Sequence, residues 1–424
     1  MTIMQKIESA SCACDDPAIA GSLATVDDAL GLIAAHANPV EGIDDVPLAQ
    51  ARGRVLAGPV HACAAVPPFD NAAMDGYAVD TATLRGNGPW RLKIADRIAA
   101  GQVSLAPLPY DHTMQIFTGA PLPRGADAVV MQEDVQRAGD TVILSRRAAP
   151  GAHIRRAGED MTVGDCILPA GRLLTARDIA AAAAAGHTSL HVCRRLRVAL
   201  LVTGDEVQGR ARPLGPSEIR DVNTPALKAA ISGAMLDLCA VETGADDRRS
   251  LGKQLARLAG EADLVVTTGG LSVGEEDHVK PALGDLDAQI VFSGVALKPG
   301  KPVSFGHVGQ ALWFGLPGNP LSALLTWHLL GTAVLHAMTG REGRPDTGLR
   351  PVILSQDLRH RPGRCELRLA TLAGHDRQGR QTVTCAAATH SGRVSGLPAA
   401  DGYILIPAEA RTLPKGTQAG FQPW

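Results

Sequence analysis

The sequence predicts a multidomain protein of the α/β plus β class: a central three-layer α/β sandwich with a mostly parallel sheet, a β-rich inserted domain and a C-terminal β domain. Three features point there. Continuous apolar runs alternate with helix-like segments between Arg197 and Pro320. Short apolar runs cut by Pro and Gly fill the stretch from Pro47 to about Pro169. After Gly340, strand-like runs continue and no long helical pattern appears. With 424 residues, the chain exceeds one ordinary core.

Taken in order, residues 1 to about 22 are small, polar and tail-like. Leu23, Val26, Leu30 and Ile33 then recur near helical spacing up to His36, with Thr25 placed to cap the helix. His61–Pro68, Gly86–Pro89 and Gly119–Gly125 carry the turn signals of β structure with long loops. Arg197–Thr203 is apolar throughout, as in a parallel strand buried on both faces, and ends in Gly204-Asp205-Glu206. Asn223-Thr-Pro225 opens a helix, with a capping residue ahead of proline. Residues 238–243 form a second strand closing on Asp246-Asp247, and after another helix Asp263–Thr268 runs into Gly269-Gly270. Strand–helix alternation of this kind requires right-handed crossovers. The segment REGRPDTG after Gly340 is a linker, and Arg350–Asp357, Gln381–Ala386 and Gly402–Ile406 are the strands of a small β domain.

Composition removes several classes. A 45% hydrophobic, 20% charged chain is ordinary for a globular protein. A net charge of −2 gives no general affinity for nucleic acid or an anionic membrane surface. No apolar run approaches the ~20 residues of a membrane span, the Ile179–Ala185 stretch being halted by Gly186 and His187. The N-terminus lacks the apolar core of a secretory signal, so a cytoplasmic location is expected. Eight cysteines are scattered without a paired C-x-x-C array, which argues for free thiols and against structural zinc. Cys12 and Cys14 beside Asp15 and Asp16 read as part of the tail.

Ligands of open parallel sheets bind beyond the carboxyl ends of the strands. Here those ends carry Glu206, Asp246 and Asp277, the last after Gly269-Gly-Leu-Ser-Val-Gly274. Gly269, Gly270 and Gly274 let backbone N–H groups approach an anion, and Ser272 adds a hydroxyl. Asp277 and its neighbours suit a hard cation such as Mg2+. Any one such loop reads equally as a solvated turn; three acidic ends in one sheet favour a site. Lys298-Pro-Gly-Lys301-Pro is an ordinary basic turn or a counter to pyrophosphate. In Gly315-Leu-Pro317-Gly318-Asn319-Pro320, Asn319 can cap the following helix, whose free N–H groups offer an anion seat near Ser322, though capping alone would also explain the loop. Upstream, Asp70, Asn71 and Asp75 crowd into a segment flanked by Phe69, Met74 and Tyr77, with an Asn/Asp-rich turn as the plainer alternative. Thr118, Arg155, Arg156, Glu159 and Asp160 follow in two further motifs.

Together, PPFDNAAMDGYAV, IFTGAPLPRGADAVVMQED, RRAGEDM, TGDEV, TTGGLSVGEEDH, KPGKP and GLPGNPLSA resemble the molybdopterin molybdenumtransferases, the family that includes the gephyrin E domain. The motifs keep the family's order from residue 67 to 323. The resemblance implies a four-domain homodimer whose cleft lies between the α/β domain of one subunit and the β-rich domain of the other. It divides the chain into a pterin-binding domain (23–43 with 194–345), a connecting domain (44–62 with 165–193), a β-rich domain (63–164) and a C-terminal β domain (346–424). It implies adenylylated molybdopterin and molybdate as substrates, AMP as product and Mg2+ as the assisting ion. A separate adenylyltransferase and apo-molybdoenzymes fit as donor and recipient.

Matched motif by motif, Asp75, Thr118, Asp160, Glu206, Asp246 and Asp277 fall on functional positions, with Asp246 and Asp277 serving the metal. Lys298, Lys301 and Ser322 fall on phosphate or molybdate contacts. In the C-terminal domain Arg364 begins the arginine motif, whose second arginine, Arg368, is displaced by one residue, and Ser391 and Ser395 keep part of the serine motif. Gly294 stands where some members have lysine, and His278 where tyrosine is common. Two alternatives compete. A molybdopterin adenylyltransferase shares the α/β domain but needs neither the 67–79 segment nor the C-terminal domain. A non-catalytic pterin-binding scaffold should show eroded strand-end acids, and here they are intact.

Overall fold

The computed structural model describes residues 23–204, 206–209, 212–245, 247–271, 277–343, 348–386 and 389–424. The expected tail, with Cys12 and Cys14, and the expected site residues Asp246, Ser272 and Gly274 lie outside the described residues, as does Asp205.

The fold is α/β plus β, with mixed sheets. At its centre is a six-stranded sheet in the order Leu236–Thr243, Leu196–Val202, Leu264–Thr268, Ala311–Leu316, Ser304–Val308, Gln289–Ser293. The first four are parallel neighbours; the last two join as an antiparallel extension. That extension departs from the expected strand–helix alternation. Only Gly309 and Gln310 separate Val308 from Ala311, with Gly309 at φ 56°. So short a connection can make only an antiparallel hairpin.

Side chains of Leu196–Val202 alternate between two cores. Leu196, Val198, Leu200 and Val202 join one cluster, with residues of the helices Val26–His36, Asn223–Ala230 and Pro320–Met338. Ala199 and Leu201 join the other, against Leu251, Leu255 and Leu258 of Arg248–Glu261 and Val279 and Leu283 of Val279–Gly284. Burial on both faces explains the unbroken apolar run. Thr25 caps the first helix as expected, in a reciprocal box with Asp28. Asn223 does not cap its helix. The Asp221 side chain accepts from the Thr224 amide instead, and Asn223 turns inward.

Pro320–Met338 contradicts the expectation that no apolar segment reaches span length. It is long and apolar enough to cross a membrane, with mean hydropathy 1.4, yet 72% of that window is buried inside the protein. It is the central helix of the largest core, interrupted by a π-turn over Trp327–Gly331.

The β-rich stretch contains a six-stranded sheet ordered Ala128–Met131, Gly76–Val79, His112–Ile116, Trp90–Ile98, Thr141–Leu144, Val135–Ala138. The chain enters and leaves it through paired flanks: Ile43–Pro47 with Ser189–Cys193, and Val60–His61 with Cys166–Leu168. At the C-terminus Cys365–His375, Gln381–Cys385, Arg350–Leu354, Gln418–Pro423 and Gly402–Ile406 close on themselves as a barrel-like sheet. Leu297–Lys298 adds a parallel strand to Cys365–His375, tying the barrel to the α/β core. The six described cysteines are free thiols.

Candidate functional site

The sheet order makes a switch point. From Leu196–Val202 the chain goes to one side for Leu236–Thr243 and then crosses to the other for Leu264–Thr268. Loops that diverge in this way leave a crevice at the carboxyl ends. A cleft of about 820 Å³ opens there, within the usual ~300–1,000 Å³ of ligand sites. It is lined by Gly204 and Glu206, Gly269 and Gly270, Asp277, Lys298, Lys301, Pro317 to Pro320, Ser322, Arg364 and Ser391.

Its floor is set by close backbone approach. Gly269 sits at φ +90°, and a Cβ there would lie 2.7 Å from Thr203 Oγ1 and 2.8 Å from its carbonyl oxygen. A Cβ on Gly318 would come within 3.4 Å of Gly269 Cα. The two loops therefore touch through glycine, and larger residues would part them. The Gly269 amide donates to the Leu316 carbonyl and is not open to an anion, which corrects the expected role of that N–H.

A short polar chain holds the loops in register. Thr268 Oγ1 donates to the Pro317 carbonyl at 3.0 Å. Asn223 Nδ2 donates to Thr268 Oγ1 at 2.9 Å and to the Gly318 carbonyl at 2.7 Å. Asn223, Pro317 and Gly318 line the cleft, and Thr268 is fully buried. Sequence reasoning read Asn223 as a cap because Asn before Thr-Pro carries that signal; its partners, 45 and 95 positions away, leave no local mark.

Glu206 folds back over Gly204, where a Cβ would meet its carboxylate at 2.9 Å. Val207–Gln208 pairs with Ile219–Arg220, which brings Arg220 and Asp221 to the cleft wall. That two-residue pairing was not legible in the sequence. Asp277 and His278, which also line the cleft, precede Val279–Gly284. Burial lowers the pKa of Lys280 there, and the nearby Asp277 carboxylate opposes the shift. Asp247 is a helix cap, accepting from the Ser250 amide, and that bond holds its carboxyl below the ordinary 3.8.

The Lys298–Lys301 turn packs on the helix beneath it. Gly300 at φ +122° leaves room for Thr326, whose Oγ1 a Cβ would meet at 2.6 Å. Lys301 is exposed, whereas Lys298 is held 3.6 Å from Glu366 of the barrel. Asn319 occupies the cap position of Pro320–Thr326 without a side-chain cap bond, and Pro320 fills the first turn as expected. The Leu321 amide donates to the Ser391 carbonyl, so the anticipated anion seat is partly taken by the barrel's own loop. Thr389, beside it, donates to the Leu367 carbonyl. Gly294 has φ +100° and does not line the cleft; a Cβ there would meet Leu23 at 2.7 Å.

Asp75, Thr118 and Asp160 do not line this cleft, and neither does Ser395, which is exposed. Asp75 Oδ1 accepts from the Thr118 amide at 2.8 Å and from its hydroxyl at 2.7 Å, and these bonds hold the Asp75 carboxyl below its ordinary 3.8. Arg156, one of the two adjacent arginines, is engaged by Asp70 at 2.6 Å. The described site residues thus separate: most line the cleft, Asp75, Thr118 and Asp160 lie in loops of the β-rich stretch, and Ser395 lies in the C-terminal region. Among the described residues no three His, Cys, Asp or Glu side chains gather to hold a metal.

Comparison with known proteins bears on all of these regions. Residues 24–186 match the family described as MoeA N-terminal region (domain I and II), 199–337 the probable molybdopterin binding domain, and 351–424 the MoeA C-terminal region (domain IV). The chain is 36% identical to Molybdopterin molybdenumtransferase 2 of Mycobacterium tuberculosis (strain CDC 1551 / Oshkosh), over 89% of this chain and 94% of that one. It is 32% identical to Molybdopterin molybdenumtransferase of Haemophilus influenzae, over 89% and 93%. The crystal structure of the molybdopterin biosynthesis moea protein from Pyrococcus horikosii superposes with a TM-score of 0.79 at 28% identity, covering 95% of this chain and 99% of that one.

Proposed function

The chain belongs to the molybdopterin molybdenumtransferase family, and on that premise we propose that the cleft at the carboxyl ends of the central sheet is where molybdenum is inserted into molybdopterin. The substrate is adenylylated molybdopterin, the metal arrives as molybdate, and AMP leaves. One observation carries this reading: the glycine loop, the two-lysine turn and the Gly315–Pro320 loop converge on one cavity. An adenylyltransferase reading is not favoured, because the family match extends through the N-terminal and C-terminal regions.

Lys298 and Lys301 offset the charge of molybdate and phosphate, which matters most where the cleft excludes water. Ser322 and Arg364, which line the same cleft, add donors. Gly269, Gly270, Pro317 and Gly318 shape the floor against the pterin and nucleotide. Glu206 and Asp277 orient water at the phosphoanhydride. The donor set fits Mg2+, which takes one or two carboxylates and completes its shell with substrate phosphates and water. Asp277, together with Asp246 outside the described residues, would hold it. When bound it neutralises charge on the phosphate oxygens.

Asp75, Thr118 and Asp160 enter through a second copy. Their position outside the cleft of their own chain supports a homodimer in which each β-rich domain completes the partner's site. The domain division at 43/44, 62/63, 164/165, 193/194 and 345/346 is supported by the paired flanks and by separate cores in the connecting and β-rich domains; the C-terminal barrel has a core of its own but also adds Cys365, Leu367, Tyr403 and Ala408 to the α/β core. Alternation of the central strands between two helix-backed cores supports the three-layer reading. A cytoplasmic location, supply by a separate adenylyltransferase and delivery to apo-molybdoenzymes complete the proposal.

Lys301→Ala tests the assignment. Lys301 is exposed and carries no packing duty, so the variant should melt as the wild type does while losing molybdate-dependent turnover. Unchanged turnover would remove Lys301 from the site.

A further inference from the structure

Lys298 is backed by a buried charge of the C-terminal barrel that no part of the reaction has yet used. In the parallel pairing of Leu297–Lys298 with Cys365–His375, Lys298 lies opposite Glu366. Glu366 is fully buried and Arg368, two residues on and on the same face, is 2% exposed. Arg368 donates Nε at 3.1 Å and Nη2 at 2.9 Å, both to Glu366 Oε1. Oε2 finds no hydrogen-bond partner among the described residues. Its neighbours are Lys298 Nζ at 3.6 Å and His360 Nε2 at 3.8 Å.

His360 is committed elsewhere at one ring nitrogen, while its Nε2, the atom facing Oε2, also makes no hydrogen bond among the described residues. Its Nδ1 lies 2.7 Å from the Ala410 carbonyl, which can only accept, so Nδ1 carries a proton. Lys298 is the neighbour of Oε2 that also reaches the cleft. A buried carboxylate with an unspent oxygen is costly, and an apolar pair would fill a barrel interior at least as well. Structural pairing with Arg368 accounts for Oε1 and leaves Oε2 unexplained.

We propose that Glu366 is the positioning residue for Lys298. Oε2 fixes the direction of the ammonium, Arg368 locks the carboxylate, and the remaining Lys298 N–H bonds face the anion in the cleft. The barrel thereby sets how tightly the cleft takes its anionic substrate. This rests on the reading that Lys298 meets such an anion.

The test uses the full-length enzyme, with steady-state kinetics varying molybdate and adenylylated molybdopterin in turn. Lys298→Ala identifies which half-saturating concentration Lys298 governs; if neither rises, the reading of Lys298 itself fails. Glu366→Gln keeps the shape of the side chain and removes its charge. Glu366→Gln combined with Arg368→Met removes both charges, so that no unpaired buried ion is left to unfold the barrel. Both should raise the same half-saturating concentration about fivefold with kcat nearly unchanged. In the Lys298→Ala background the Glu366 change should add nothing. If Lys298→Ala has its effect while the Glu366 variants have none, or if the two effects multiply, the positioning role is overturned.

Discussion

Replacing Asn223 with alanine should loosen the cleft floor without touching any residue of the anion-binding turn. The orientation of the amide is fixed by its partners. The Gly318 carbonyl can only accept, and Thr268 Oγ1 already donates to Pro317, so Nδ2 must face both. Alanine removes both bonds at ~0.5–1.5 kcal/mol each, so the expected loss is about 2 kcal/mol, or roughly thirtyfold in the equilibrium between seated and unseated loop. That factor is also the ceiling on weakened pterin binding, because affinity falls only with the seated fraction. Asn223→Asp should be worse than alanine: it sets a carboxylate oxygen against the Gly318 carbonyl at a nearly buried position, 9% exposed. Urea denaturation should show a lowered midpoint for both variants with an unchanged slope, and calorimetry should show weaker pterin binding for alanine. An alanine variant with wild-type midpoint and wild-type affinity would refute the stitching role.

Three further outcomes follow. Gly294→Lys should destabilise by about 1–3 kcal/mol because of the φ of +100° and the approach to Leu23, and should not improve substrate affinity; a stabilised variant in thermal melts would contradict this. His328 is held below its ordinary 6.5 by burial, against Trp424 at 5.1 Å. The unfolded chain therefore takes up the proton first, so the His328 contribution is complete above pH 6.5 and declines as pH falls from there toward the folded pKa. His328→Phe should flatten that part of the stability–pH curve, and an unchanged slope would argue against it. Thr118→Val removes the hydroxyl bond to Asp75 but keeps the backbone one, so the Asp75 carboxyl should move part of the way back toward 3.8 in an NMR titration. No movement would mean that the hydroxyl contributes nothing.

Much of the cleft could be read from local sequence, because glycines after apolar strands, prolines around lysines and acids at strand ends each have a short-range cause. Gly269, Lys301 and Ser322 were reachable in that way. Asn223, Arg220 and Asp221 were not. They enter through contacts between distant segments, and the local signals they carry belong to caps and turns. The Val308–Ala311 hairpin was missed because its strands are buried on both faces and lack alternation, leaving Gly309 as the only cue. The closed barrel was legible as strands but not as a ring, since closure depends on Gly402–Ile406 returning to Cys365–His375. Glu366 and Arg368 resist prediction for a further reason: two charged residues at alternate positions of a strand ordinarily mark a solvent face, and here that face is turned inward.

Molybdenum insertion in this cleft can be followed by its two products. AMP release from adenylylated molybdopterin and Mg2+, with and without molybdate, tests it most directly when the pterin product is also assayed for metal. If the cleft inserts molybdenum, molybdate stimulates AMP release and the metal stays on the pterin. Tight pterin binding with no AMP release under either condition would contradict it and favour a binding scaffold.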